Sequence, residues 1–172
     1  MNNVGCLHIL QNNVNEAGTA FEKAASIDGD NQIIKNNLGA IAHRMGDHEK
    51  AIKLFNEAGS AGPEVAYNKG IYGIQRGKYA DAVSNFGSFK SFNTALAKFL
   101  NGDAAGAKSD LDACDEKESA KAHYLRAIMA ARAGDASGLS SLKTAISKDA
   151  TLKAKAAKAS EFIKWFDNAD IK

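Results

Sequence analysis

Four asparagines recur at one place in a repeated pattern: Asn3, Asn37, Asn68 and Asn93 each stand two residues before a small residue, namely Gly5, Gly39, Gly70 and Ala95. A carboxamide donates and accepts hydrogen bonds at once, so a series of them can bond polar groups of either kind. The other reactive side chains form no such series. His8, His43, His48 and His123 lack the His-Glu-x-x-His spacing of a zinc site, and His43 and His48 are five residues apart across a turn, so all four are expected to be solvent or packing histidines. Gly70, Gly73 and Gly77 match neither phosphate-binding glycine pattern and fall within a helical one. Cys6 and Cys114 are 108 residues apart, which excludes a disulfide framework and a zinc ribbon; both are expected to be buried free thiols. No Ser-His-Asp arrangement can be built from the scattered carboxylates. The expectation is a chain with no catalytic residues, no metal and no cofactor.

The elements that must carry the amides are legible as a period. Asn37-Leu38-Gly39, Gly46-Asp47, Ala51, Phe55, Ala58 and Pro63 are preceded by Val4-Gly5, Ala17, Phe21 and Ala24, displaced by 34 residues. They are followed 31 residues on by Asn68-Lys69-Gly70, Gly77-Lys78, Ala82, Phe86 and Phe89. A further 25 residues on come Asn93-Thr94-Ala95, Gly102-Asp103, Ala107, Leu111 and Cys114, and 32 beyond those Ala127, Gly134-Asp135, Leu139 and Ile146, with Lys143 in the aromatic place. One proline against fifteen glycines favours helices joined by glycine turns over an all-β fold. A small residue at Gly39 and Ala51 lets two helices cross closely, and Phe55 fills the wedge between that pair and the next. Gly46 ends one helix with a residue tolerant of positive φ, and Asp47 starts the next as an N-cap acceptor.

This pattern resembles the tetratricopeptide repeat family, whose unit is two antiparallel helices. The resemblance covers residues 1–149 and is strongest where Leu38-Gly39, Ala51, Phe55 and Pro63 occur together. It implies an all-α fold: a right-handed α-solenoid of about five helix pairs, the first truncated and the fourth shortened, in a single domain with a capping helix over residues 150–172. The shortening between Phe86 and Asn93 is expected to bend the superhelix or narrow its groove.

In members of the family, an asparagine at the place of Asn3, Asn37, Asn68 and Asn93 points into the concave groove and bonds the backbone of a bound peptide. The competing reading is that these amides satisfy local polar groups, and the residues alone leave both open. Helical spacing adds Asn36, His43 and Arg44 to a polar N-terminal half of the groove, and Tyr67, Ile71, Ile74, Phe92, Leu96, Phe99, Tyr124 and Ile128 to an apolar C-terminal half. The lysine and arginine clamp by which one subclass holds the carboxylate of heat-shock chaperones is absent: its places hold Asn2, Cys6, Asn37, Glu64 and Asn68, of which Asn37 alone agrees.

After Asp149 one more helix is expected, with an apolar stripe of Leu152, Ala156, Ala159, Phe162, Ile163 and Phe166, and with Trp165 near its end, closing the array. From Leu139 onward seven lysines stand against four acids, a solvated face in the simplest reading. A net charge of +2 gives no argument for nucleic acid, and no apolar run approaches the roughly 18 residues of a membrane span. Because Gly5 matches Gly39, Met1 falls inside the first helix of its repeat, which suggests a piece of a longer protein. The last repeat and cap also resemble C-terminal arrays of some bacterial cell-envelope proteins, implying a periplasmic or envelope setting. The expected function is a non-catalytic scaffold that binds an extended peptide or partner protein in the concave groove. The alternative is a structural spacer or self-associating module, with a homodimer through the incomplete first repeat.

Overall fold

The computed structural model describes residues 1–59 and 62–165. They are helical throughout, with no strand among the described residues, and fall into two compact units, Met1–Phe86 and Gly87–Lys172. The first holds α1 (Asn2–Leu10), α2 (Val14–Ala25), α3 (Gln32–Arg44), α4 (His48–Glu57), α5 (Pro63–Gln75) and α6 (Tyr79–Phe86). The second holds α7 (Phe92–Leu100), α8 (Ala104–Ala113), α9 (Ala120–Ala133), α10 (Gly138–Lys148) and α11 (Thr151–Ala156), then a 3-10 segment, Ser160–Trp165. Consecutive helices pack as hairpins, α1 on α2, α3 on α4 and α5 on α6 in one unit, α7 on α8 and α9 on α10 in the other. Within the first unit the hairpins also stack, α2 on α3, α3 on α5 and α4 on α5, and within the second α7 and α8 both meet α9. Each unit is thus an array of helix pairs.

The turns form as their residues require. Gly46 adopts φ +83°, a conformation that costs a Cβ-bearing residue about 1 kcal/mol or more. Asp47 then accepts a hydrogen bond from the Lys50 backbone N–H at 3.0 Å, capping α4. Asp103 caps α8 in the same way through the Gly106 N–H at 2.8 Å. In the first hairpin the left-handed place is held by Asn12, the one non-glycine residue with positive φ (+61°) among those described. Its side chain accepts from Arg44 Nη2 at 2.8 Å.

The helix crossings match small residues to large ones. A Cβ built on Gly5 would lie 2.4 Å from Phe21, on Gly39 2.8 Å from Phe55, and on Gly70 2.5 Å from Phe86. Phe21 and Phe55 are 2% and 1% exposed, burial that stabilises by about 2–3 kcal/mol per ring. In the fourth pair both partners change together: Ala95 replaces the glycine and Leu111 the phenylalanine, and both are fully buried in one cluster.

Four expectations are corrected. In the fifth pair Gly138 and Leu142, not Leu139 and Lys143, take the small and the large buried places. The buried face of α10 thus starts four residues after the turn glycine, against five at Gly46–Ala51, because Ala130 and Trp165 leave no room for a side chain at Gly138. Phe89 does not continue a buried stripe: α6 ends at Phe86, Gly87 turns at φ +55°, and Phe89 is 56% exposed. Cys114 is buried, but Cys6 is exposed, because α1 carries more apolar side chains than its neighbours cover. Finally, the C-terminal element is not one helix. α11 stops at Ala156, and the 3-10 segment turns Phe162 inward to 0% exposure while Ile163 stays 62% exposed. Phe162 meets Tyr124 edge-on and stacks on Trp165, each at 5.5 Å between centroids. Phe166 lies outside the described residues.

Candidate peptide-binding face

The recurring asparagines lie on the first helices of their pairs. In the first unit they are joined across repeats: Asn37 Nδ2 donates to Asn2 Oδ1 at 3.0 Å, and Asn68 Nδ2 donates to Asn36 Oδ1 at 3.0 Å. Each rung uses two adjacent places. The donor is the recurring asparagine, and the acceptor is the residue just before its counterpart in the preceding pair. The doublets Asn2-Asn3 and Asn36-Asn37 were the sequence signal for this arrangement, which the spacing argument passed over. Asn36 is 4% exposed, so its carbonyl oxygen relies on a protein partner. Asn37 and Asn68 are half-buried. Beyond its rung, each of these two amides retains a second N–H and a carbonyl oxygen for hydrogen bonding.

The remaining residues of that half take varied places. Asn3 is exposed on α1. His43 packs edge-on against Tyr72 at 5.3 Å and lies 5.5 Å from His48. Burial pushes its imidazole below the usual value, assisted by the neighbouring His48 and opposed by a hydrogen bond with Gln75. Arg44, exposed, ties the second pair to the first through Asn12. Tyr67 is half-buried with its ring 5.4 Å from that of Phe86, and Ile71 is half-buried beside it on α5.

In the second unit Phe92, Leu96 and Phe99 lean on the cluster of Ala95, Leu111, Cys114, Ala122 and Leu125. Tyr124 and Ile128 lean on Ala127, Leu142, Ala156 and Phe162. Much of each apolar side chain is therefore used in packing between pairs. The half-exposed rings also carry cations: Lys121 Nζ lies 4.7 Å from the Phe92 ring centre, and the Arg132 guanidinium 5.0 Å from that of Phe99. Asn93 lies half-buried on α7.

One constellation escaped the sequence reading. Asp110 of α8 is 1% exposed and is held by two lysines, Lys90 from the segment before α7 and Lys98 of α7, the latter at 2.6 Å. Burial opposes ionisation of this carboxyl, but the two ammonium groups prevail and hold it below the usual range. Its signal was an acid at the place held by Ala20 in the first pair, one residue before the large buried side chain. Among the described residues no three His, Cys, Asp or Glu side chains are grouped to hold a metal, and no helix is long and apolar enough to cross a membrane.

Residues 1–31 and 34–59 match the family model described as tetratricopeptide repeat. A search of curated proteins gives no significant match.

Proposed function

We propose that the chain, whose residues 1–31 and 34–59 match the tetratricopeptide repeat model, is a non-catalytic scaffold binding an extended peptide or a partner protein in the groove of its helix pairs. Such repeats generally mediate protein–protein interaction, and the fold is typically a scaffold rather than an enzyme. The observation that carries the reading is the pair of rungs. Asn37 and Asn68 are held in orientation by the preceding pair, and each has donor and acceptor capacity left for a main chain. Side chains already fixed lose less entropy on binding. Two such amides at about 1 kcal/mol per bond supply only part of the roughly 8 kcal/mol behind micromolar affinity. Apolar contact from residues such as Tyr67 and Ile71 completes the reading.

The test is capture of an immobilised library of short unstructured peptides by the wild type, by Asn37→Ala with Asn68→Ala, and by Asn2→Ala. The first variant removes the presented amides, and the second breaks a rung but leaves Asn37 in place. Capture lost in the first and weakened in the second, at unchanged helicity, supports the reading; equal capture by all three sinks it. A second reading, self-association through the first helix pair, is favoured by the exposure of Met1 and of Val4, Leu7 and Leu10 on α1.

A further inference from the structure

The outer side of the first helix pair repeats the make-up of a seam buried inside the array. Between the first and second pairs, Leu38 and Ile41 of α3 pack against Ala17 and Phe21 of α2. Around them Arg44 reaches Asn12, and Lys50 lies 3.8 Å from Glu22. Thirty-four residues earlier the places of Leu38, Ile41, Arg44 and Lys50 hold Val4, Leu7, Leu10 and Glu16. Those apolar side chains have the same helical register but stay exposed: Val4 is 43%, Leu7 58% and Leu10 83% exposed. A groove of about 260 Å³ runs between α1 and α2 on this side, with Val4 and Ala20 in its lining and Glu16 and Lys23 among its charged members.

We propose that this face is an interface between two copies of the chain, related by a two-fold axis near Ala20, with their α2 helices antiparallel. The inference rests on the self-association reading and adds its geometry. Charge selects the occupant. Glu16 and Lys23 are seven residues apart on one side of α2, with Thr19 and Ala20 between them. A two-fold interface must be complementary to itself. Reversing α2 on its own image sets Glu16 against Lys23 twice, once on each side of the axis. The same contact would cover Val4, which lines the groove, and reach Leu7, the next exposed apolar residue three places along α1. Lys50 and Glu22 already show opposite charges meeting across the equivalent seam.

Light scattering coupled to size-exclusion, over a wide range of protein concentration, tests this. The wild type is expected to pass from monomer to dimer as concentration rises. Leu7→Glu, at an exposed site, abolishes the dimer with unchanged circular dichroism. Glu16→Lys alone and Lys23→Glu alone each weaken it about tenfold or more, since both cross-axis pairs become repulsive. An equimolar mixture of those two single variants restores it as a heterodimer. A mass that stays monomeric at every concentration overturns both the proposal and self-association, leaving the face to another helix. A dimer lost with Leu7→Glu but indifferent to the charge variants overturns the antiparallel geometry alone, and one indifferent to all three variants overturns this face.

Discussion

A methyl group on Gly39 would stand 2.8 Å from Cδ1 of Phe55. The two residues form one unit of shape, and the chain contains its own alternative solution in Ala95 and Leu111, where the small residue is larger and the large one smaller. Gly39→Leu is expected to cost about 3 kcal/mol through overpacking. Gly39→Ala combined with Phe55→Leu is expected to be milder than the sum of its parts, with a coupling of about 1–2 kcal/mol. Urea unfolding of the double-mutant cycle measures it, and strict additivity would show that the two sites do not share space.

The two rungs differ in burial, and their loss should differ in consequence. Asn68→Ala leaves the oxygen of Asn36, at 4% exposure, without its donor, and is expected to cost about 1–3 kcal/mol. Asn37→Ala exposes only the half-buried Asn2 to the same loss and is expected to cost less. Thermal unfolding of the two variants side by side gives the order; a reversed order would contradict the accounting by burial.

Asp110 is a buried carboxylate whose charge is tolerated because Lys90 and Lys98 meet it. Asp110→Asn is expected to destabilise by about 3 kcal/mol, since it leaves ammonium groups drawn inward without a counter-charge. Asp110→Leu with Lys98→Met should recover most of that loss, because an apolar pair of similar volume avoids the desolvation of both charges.

The same carboxyl has a pH signature. Its folded value lies below the ordinary 3.8, so its contribution is complete above that pH and is lost as pH falls through the folded value. Acid unfolding of Asp110→Asn followed by circular dichroism should therefore show a shallower fall below pH 3.8 than the wild type. Parallel curves would mean that Asp110 titrates alike in the folded and unfolded chain.

His43 acts at milder pH. Burial holds its folded value below the ordinary 6.5, so the unfolded chain takes up the proton first and stability declines as pH drops from 6.5 toward the folded value. Replacing the ring by His43→Phe, which keeps an aromatic edge toward Tyr72, is expected to flatten part of that decline. Chemical denaturation at pH 7.5 and pH 5.5 compares the two, and an unaltered difference between these pH values would remove His43 as its source.

What the sequence determined by itself was everything that repeats locally. The hairpins, the turn at Gly46-Asp47 and the Gly39–Phe55 crossing depend on residues a few helical turns apart, and helix period and capping chemistry act over that range. Tertiary structure decided whatever depends on which neighbour stands opposite. Asn37 could have faced solvent or a peptide, and only the approach of α1 gives its amide Asn2 as a partner. Asp110 is a surface residue by type and a buried one by placement, because Lys90 and Lys98 converge on it from outside its helix. The fifth pair shifted its buried face by one residue, to Gly138 and Leu142, since packing against Ala130 and Trp165 selects the register that leaves no room for a side chain at Gly138. Val4 and Leu7 have the composition of a core and the exposure of a surface; burial is a property of a pair of surfaces, and a single chain segment encodes only one of them.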